Sequence, residues 1–462
     1  MVFSSLTFLT GFLPVFLMVF FLVPRSWQNG VLLLFSLAFY GWFSPALILL
    51  IVFEILVGWI AGLMMQRYAG KKRAVLFWVS IAIIVGLLFF FKYWNFFAFQ
   101  IESMGGPDWV IQKLFLPLGI SFYTFQILSY LIDVKEDRLP PQSSLIRFAL
   151  YVSMFFQLVA GPIVRYQDME AQLDWKNRTV NMEGIWKGIE RFCCGLAKKV
   201  ILANGLWAIM ETLRISPQPS VLYFWLYAIA GTMFVYYDFS GYSDMAIGLG
   251  HICGFHLPEN FNYPFTASSF TGFWRRWHMS LTSWFRDYIY IPLGGNRKGK
   301  NRQIFNLLVV WLLTGFWHGA AWTYVCWGLL FFVLLVMEKF VLPEKWVSSP
   351  IYGLLYRVIL LLSFCLFLSD SLPQFGADLM GMFGLLGLPF STSWTIYALL
   401  SNLVLLLVSI VGLSSWPKRM WQKMLSHNWS QPIRILACAV VFVMCLAWLA
   451  SGTFNPFLYF SF

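Results

Sequence analysis

The amino-acid sequence predicts an all-α, polytopic integral membrane protein built as a multi-helix bundle. Of its 462 residues, 60% are hydrophobic and only 11% are charged, whereas an ordinary soluble domain carries about 25% charged residues. Apolar runs of about twenty residues, long enough to cross the hydrocarbon layer as helices, recur along the chain. A soluble protein of this length would need more polar side chains to cover its surface.

Ten to thirteen membrane crossings are expected, because several of the thirteen candidate segments are short or contain glycine and proline. The first segment lacks a basic leader and a small-residue cleavage site, so we expect a retained span and not a removed signal peptide. The segments are residues 6–23, 31–40, 46–65, 74–91, 115–132, 145–164, 192–213, 221–237, 304–316, 322–341, 352–368, 395–413 and 433–450.

Two further stretches are predicted to enter the membrane only partly or to lie along it. Residues 238–263 are rich in glycine and carry Asp244, His251 and Asn260, so we expect a half-inserted segment buried against protein or a water-filled cavity. Residues 274–293 mix arginines with Trp277, Trp284 and other aromatic side chains, a composition typical of an interfacial amphipathic helix.

The charge pattern favours a membrane protein over a nucleic-acid-binding protein. The chain has 32 Lys and Arg against 20 Asp and Glu, and the basic residues form short clusters between apolar spans. The positive-inside bias places the clusters at 67–73, 135–147 and 297–302 in the cytoplasm and the N-terminus outside. We expect one integral domain, 1–462, with a motif-bearing core at about 91–340 and less typical helices at 341–462. The seven cysteines are expected to serve as small packing residues.

Two of the five histidines, His278 and His318, stand in apolar surroundings and are the predicted catalytic residues. Ionisable groups are costly in a membrane and are functional by default, and a neutral imidazole in a dry pocket can take a proton from an attacking hydroxyl. The small residues 319–321 after His318 permit close packing or ligand approach. The alternatives are a structural hydrogen bond to a neighbouring helix for His318 and an interface anchor for His278.

Further polar residues are assigned weaker roles. Arg275, Arg276, Arg286 and Arg297 could cradle the phosphates of a nucleotide-tailed thioester, although attraction to anionic lipid is the favoured explanation for most of this basic cluster. No metal site is expected, because the two histidines are 40 residues apart without a zinc-ligand pattern. Serine-hydrolase, P-loop and dinucleotide-binding motifs are not found. The expected tunnel-lining or orienting residues, which alternatively connect helices by hydrogen bonds, are Asp244, Asn306, Trp317 and Gln126.

Six motifs, in this order along the chain, resemble those of the membrane-bound O-acyltransferases, and the similarity is greatest to the bacterial alginate O-acetyltransferase branch. The resemblance runs from about residue 91 to about residue 327, and it weakens after Glu338. Residues 368–372 depart from the family pattern, which bears on the acceptor or the partner. The motifs are LPLGISFYTFQ at 116–126, AGPIVR at 160–165, YDFSGYSD at 237–244, FWRRWH at 273–278, WFRDY with PLGGNR at 284–297, and LTGFWHG at 313–319.

The resemblance implies a helix bundle around a tunnel, with His318 at its centre as the catalytic histidine and His278 as the second histidine of the family pattern. It implies no permanently bound cofactor and acetyl-CoA as an acyl donor that enters from the cytoplasm. The acetyl group would then pass through a bacterial inner membrane towards an exported polysaccharide, with the help of an extracytoplasmic SGNH-type acetyltransferase partner. Membrane lipid is the other expected partner.

Alternative functions remain open on the sequence. Within the same family they are D-alanyl transfer to teichoic acid, with a carrier protein as donor, and peptidoglycan O-acetylation. Outside the family, a secondary transporter or flippase would use intramembrane histidine, aspartate and arginine without covalent chemistry. That hypothesis predicts inverted repeats, which the sequence lacks. A scaffold that anchors a polysaccharide-exporting machine is a further, non-enzymatic possibility.

Overall fold

A computed structural model describes residues 2–42, 44–112, 114–216, 218–424 and 430–452, and every regular element within these ranges is helical. The predicted all-α, polytopic class is thus confirmed. Six helices are long and apolar enough to cross a membrane, and a seventh crossing results if the bent pair Ser393–Ser401 and Leu403–Gly412 is one span. The six are Ala46–Arg67, Gly70–Ser103, Met182–Arg214, Trp322–Val341, Pro350–Leu368 and Gln431–Ala450.

The number of long apolar helices in the described ranges is lower than the ten to thirteen crossings expected, because several expected spans are interrupted or short. Residues 145–164 form two helices, Leu145–Ser153 and Phe155–Leu158, followed by irregular chain. Residues 115–132 contribute only to the 16-residue helix Ile120–Lys135. Apolar composition predicted where apolar segments lie along the chain but not how far each helix continues.

The chain divides into two compact units, of which the first comprises Met1–Phe192 and Met245–Pro258. In chain order, its α-helices are α1 Leu13–Leu22, α2 Gln28–Gly41, α3 Ala46–Arg67, α4 Gly70–Leu88, α5 Trp94–Ser103, α6 Ile120–Lys135, α7 Leu145–Ser153, α8 Phe155–Leu158, α9 Tyr166–Leu173 and most of α10 Met182–Ala197. Helical turns of other types occupy Thr7–Phe12, Arg25–Trp27 and Phe89–Tyr93.

Helix α3 packs closely on α6 in this unit because its facing residues are small. A β-carbon added at Gly62 would collide with the ring of Tyr130, and one at Gly58 would lie 2.8 Å from Ile127. Small residues at a membrane helix interface let the two backbones approach. The close packing positions the buried face of α3 against α6.

The second unit comprises Cys193–Asp244 and Glu259–Phe462. Its short helical turns of other types are Lys198–Ala203, Pro264–Thr266, Arg286–Tyr290 and Met337–Val341. Its α-helices are α11 Asn204–Arg214, α12 Val221–Ile252 in its larger part, α13 Phe270–Trp274, α14 Met279–Phe285, α15 Lys300–His318, α16 Trp322–Val336, α17 Glu344–Val347, α18 Pro350–Leu368, α19 Leu372–Met382, α20 Ser393–Ser401, α21 Leu403–Gly412, α22 Trp416–Met424 and α23 Ser430–Ala450.

Both stretches expected to be half-inserted or interfacial have a different local structure. The first begins inside α12, which continues without a break through Asp238 and Asp244 to Ile252; only residues 253–263 are irregular or turn. The second is not one amphipathic helix, because the chain turns at His278 between α13 and α14. Most of its aromatic side chains, including Trp277 and Trp284, are buried in protein, and Tyr290 is half-buried. Packing and not amphipathicity therefore determines its shape.

Candidate active site

His318 is the last residue of α15, and its side chain is 3% exposed. Its imidazole lies among three aromatic rings, with centroid distances of 4.9 Å to Trp317, 5.1 Å to Trp327 and 5.2 Å to Phe367, all nearly perpendicular to it. A β-carbon at Gly319 would overlap the ring of Tyr324. The expectation that small residues after His318 permit close packing is therefore confirmed.

His278 lies in the turn between α13 and α14 with a left-handed backbone, φ 43° and ψ 52°. Non-glycine residues rarely adopt this conformation, and it occurs preferentially at functional sites. The side chain is fully buried and contacts Phe239 at 4.7 Å and Trp317 at 5.6 Å between ring centroids. Trp317 thus contacts both histidines and brings the two predicted catalytic residues to one place.

Asn260 holds the His278 ring through its side-chain amide. Its Nδ2 donates to Ser243 Oγ at 3.0 Å. The backbone N–H of Ser280 donates to its Oδ1 at 3.3 Å and fixes the amide orientation, because an N–H group can only donate. Its Oδ1 accepts from Ser280 Oγ at 2.8 Å and lies 3.1 Å from His278 Nδ1. Because an amide oxygen can only accept, His278 Nδ1 carries the proton.

The neutral His278 ring consequently has its lone pair on Nε2. This atom is buried and has no hydrogen-bond partner among the described residues. Burial lowers the pKa of His278 well below its usual value, and the neighbouring imidazole of His318 lowers it further. An imidazole that is uncharged near neutral pH has a ring nitrogen lone pair available to accept a proton.

Comparison with known proteins identifies the family. The family model for the membrane-bound O-acyltransferases matches residues 107–369. The chain belongs to the membrane-bound O-acyltransferase family. Both histidines and Asn260 lie within the matched region.

Three curated relatives illustrate the range of similarity. The chain is 41% identical to the "Probable alginate O-acetylase AlgI" of Pseudomonas aeruginosa, over 73% of this chain and 66% of that protein. It is 34% identical to the peptidoglycan O-acetyltransferase of Helicobacter pylori, over 73% and 70% of the two chains. It is 29% identical to the teichoic acid D-alanyltransferase of Bacillus subtilis, over 70% and 83%. The match thus spans slightly less than two thirds of the first relative's length.

Glu338 fixes α13, the helix that precedes His278. Its carboxylate accepts from the backbone N–H groups of Phe270 and Thr271 at 2.6 and 2.8 Å, at the start of α13. The hydroxyl groups of Thr271 and Tyr352 donate to it at 2.7 and 2.6 Å. Carboxylates are favourable at helix N-termini, where backbone N–H groups lack helical partners.

Two predicted orienting residues bind other groups in the second unit. Asp244 Oδ2 accepts from Lys198 Nζ at 2.7 Å. A second, fully buried ion pair joins Lys199 to Asp238 at 2.6 Å, again between the turn Lys198–Ala203 and α12. Asn306 Nδ2 donates to the backbone oxygen of Gly295 at 3.0 Å. These contacts connect helices and loops, the alternative role left open by the sequence.

Gln126 lies in the first unit, on α6, and its side chain is 1% exposed. Its backbone oxygen accepts from the hydroxyl groups of Ser129 and Tyr151. A tunnel-lining role for Gln126 stays a prediction.

The predicted phosphate-binding arginines are mostly at the surface. Arg275, Arg286 and Arg297 are exposed, and Arg276 is partly buried. Arg286 pairs with the neighbouring Asp287 at 2.7 Å, and Arg276 donates to Thr266 Oγ1 at 2.7 Å. Their role towards a thioester substrate stays a prediction. Within the described ranges, no group of three or more His, Cys, Asp or Glu side chains is arranged to hold a metal ion.

The sequence did not predict the contacts that two residues of the site make. Asn260 stood out as a polar residue in an apolar context, but only the fold brings it to His278, 18 residues away. Glu338 was visible as an acidic residue at the end of a long apolar run. That signal alone marks a costly charge and does not identify the helix it binds.

Proposed function

We propose that this acyltransferase moves acetyl groups from acetyl-CoA to hydroxyl groups of an exported, alginate-like polysaccharide. Support comes from the family, from the relatives named for alginate and peptidoglycan acetylation, and from the buried histidine pair. The histidine pair is the observation that carries the proposal. Both imidazoles contact the Trp317 ring in a buried site from which water is excluded, and such a site suits proton transfer.

In the proposed reaction, His318 acts as the general base. The acceptor hydroxyl oxygen bonds to the thioester carbonyl carbon, the carbon–sulfur bond breaks, and the hydroxyl proton passes through His318 to the departing thiolate. His318 ends α15, so the carbonyl groups of that helix terminus favour the imidazolium that forms transiently. His278 presents its Nε2 lone pair towards a hydroxyl group on the acceptor side of the same site.

The donor and the route across the membrane form the second part of the proposal. Acetyl-CoA approaches from the cytoplasm, where the exposed Arg275, Arg286 and Arg297 attract its phosphates. The acetyl group then reaches an extracytoplasmic SGNH-type partner, which completes transfer to the polymer. The cell membrane involved is the bacterial inner membrane, and the protein crosses it several times.

The decisive experiment measures acetyl-CoA consumption by purified protein together with its partner and polysaccharide. His318→Ala should abolish radiolabel transfer, and His278→Ala should reduce it strongly. His256→Ala is the matched control, because His256 is exposed and lies outside the site. Unchanged consumption by the folded His318 variant would refute the assignment, whereas movement of substrate without label transfer would favour a transporter.

Transfer of D-alanine is the second candidate function, favoured by the similarity to the Bacillus subtilis teichoic acid D-alanyltransferase. The same assay discriminates between the two when a D-alanyl carrier-protein thioester replaces acetyl-CoA. Consumption of the carrier thioester alone would establish that function. Peptidoglycan O-acetylation is the third possibility. It is tested by supplying peptidoglycan in place of alginate as the acceptor in the same assay.

A further inference from the structure

Glu54 is a buried acid in the first unit, at the ninth position of the 22-residue helix α3. It is the single acidic residue of this span, and its side chain has no exposed surface. Neither carboxyl oxygen has a hydrogen-bond partner among the described residues. Buried polar atoms without partners are rare in proteins, and each needs an explanation.

Apart from the exposed Lys71 and Lys72 at the start of α4, the basic residues of the helices packed against α3 are engaged with other groups. Arg73 of α4 pairs with Asp137, and Arg147 of α7 pairs with Asp174. At the end of α6, the Lys135 ammonium lies over the ring of Phe77 at 4.8 Å. Further along the helical segment that begins with α4, Lys92 donates to Ser121 at 3.2 Å. In the described part of the chain, no basic side chain forms an ion pair with Glu54.

Two phenol groups lie within electrostatic range of the Glu54 carboxyl group. Tyr40 of α2 and Tyr123 of α6 are 1% and 0% exposed, and their ring centroids are 6.5 Å apart. Both interact electrostatically with Glu54. Three helices therefore bring oxygen-bearing side chains together around one carboxyl group.

An isolated carboxylate in such surroundings is very costly, so its charge must be neutralised. One carboxylate without a second acidic residue matches a single positive charge and not a divalent ion. We propose that Glu54, Tyr40 and Tyr123 form a binding site for one monovalent cation, either a proton or a sodium ion. Glu54 and Tyr40 precede the family-matched region 107–369, and the proposal does not depend on the proposed function.

The two cations would use the same oxygen atoms differently. With a proton, Glu54 is a neutral carboxylic acid, and the two phenol groups supply polar surroundings for it. With sodium, the carboxylate and the phenol oxygens coordinate the ion directly, as expected for a hard cation. Both states remove the uncompensated charge from α3.

Infrared difference spectroscopy distinguishes the two cations. Full-length wild type, Glu54→Gln and Glu102→Gln are compared at neutral pH in choline chloride and in sodium chloride. Glu102, exposed at the end of α5, is the control for an ordinary ionised carboxylate. A protonated carboxylic-acid band that Glu54→Gln removes in both salts identifies the proton, and one that sodium converts to carboxylate bands identifies sodium.

A carboxylate band from Glu54 in choline chloride would overturn the proposal, because the group would then be charged without a bound cation. Thermal unfolding gives an independent measurement of sodium binding. If sodium is bound, it raises the midpoint of the wild type and of Glu102→Gln but not that of Glu54→Gln. Should Glu54→Gln fail to fold, Glu54→Met takes its place in both experiments.

Discussion

Two buried polar clusters, one in each unit, differ in how completely their polar atoms are hydrogen-bonded. Around His278, Asn260 pairs with Ser243 and Ser280, so one tautomer is selected and a single ring nitrogen is left to act. Around Glu54, neither carboxyl oxygen is paired by the described protein groups. Completed hydrogen bonds fix the protonation pattern of a side chain. An unpaired buried polar group is costly, and the proposed cation would supply the partner that Glu54 lacks.

The largest expected effect tests whether the His318 site is the reacting centre. His318→Ala should reduce acetyl transfer by about 10²–10⁴-fold, the usual contribution of a general base. The rate of label transfer is measured at saturating acetyl-CoA, with His256→Ala as control. A reduction of less than about tenfold would contradict the assigned role.

Asn260→Asp tests whether the amide sets the protonation of His278. The added carboxylate should favour the imidazolium and raise the pKa of His278 above its lowered wild-type position. Because the protonated ring cannot accept a proton, kcat/KM of the variant should fall already at higher pH on the acid side. The pH profile of kcat/KM measures this shift.

A second substitution separates positioning from charge. Asn260→Leu should cost about 10–100-fold in activity, as is common for groups that orient a functional side chain. It should also lower the stability of the second unit, because Ser280 and His278 lose a buried acceptor. If the acid limb in Asn260→Asp coincides with that of the wild type, His278 does not titrate in the rate-determining step.

Glu338→Ala extends the comparison of the two clusters, because it removes a carboxylate that accepts four hydrogen bonds. Two backbone N–H groups and two hydroxyls would lose their acceptor, at a cost of about 2–4 kcal/mol. Thermal or denaturant unfolding measures the loss, and Glu344→Ala is the control at an exposed acid nearby. Equal stability of the two variants would mean that the carboxylate does not hold α13.

The smallest effect is expected at Glu54, the uncompleted site. Glu54→Met removes no protein hydrogen bond, so the free energy of unfolding should change by less than about 1 kcal/mol. Calorimetry in sodium-free buffer checks this value against Glu338→Ala. A larger loss at Glu54 would show that the protein itself compensates the carboxyl group.

The sequence predicted the membrane class, and it marked His278 and His318 as candidate catalytic residues. Both predictions were possible because ionisable residues within apolar segments can be recognised from the sequence alone. It did not predict the turn at His278, because tertiary hydrogen bonds from Asn260 stabilise a backbone conformation that propensity disfavours. It also took α3 for a simple span and overlooked Glu54. An acid in an apolar run marks a buried charge, but its partners come from other helices.

The backbone at residue 278 limits which amino acids evolution can place there. A left-handed conformation with a β-carbon is tolerated best by asparagine and aspartate, apart from glycine. Asparagine alone combines that tolerance with an uncharged N–H donor on a short side chain. His278→Asn would thus keep the turn between α13 and α14 while removing the imidazole.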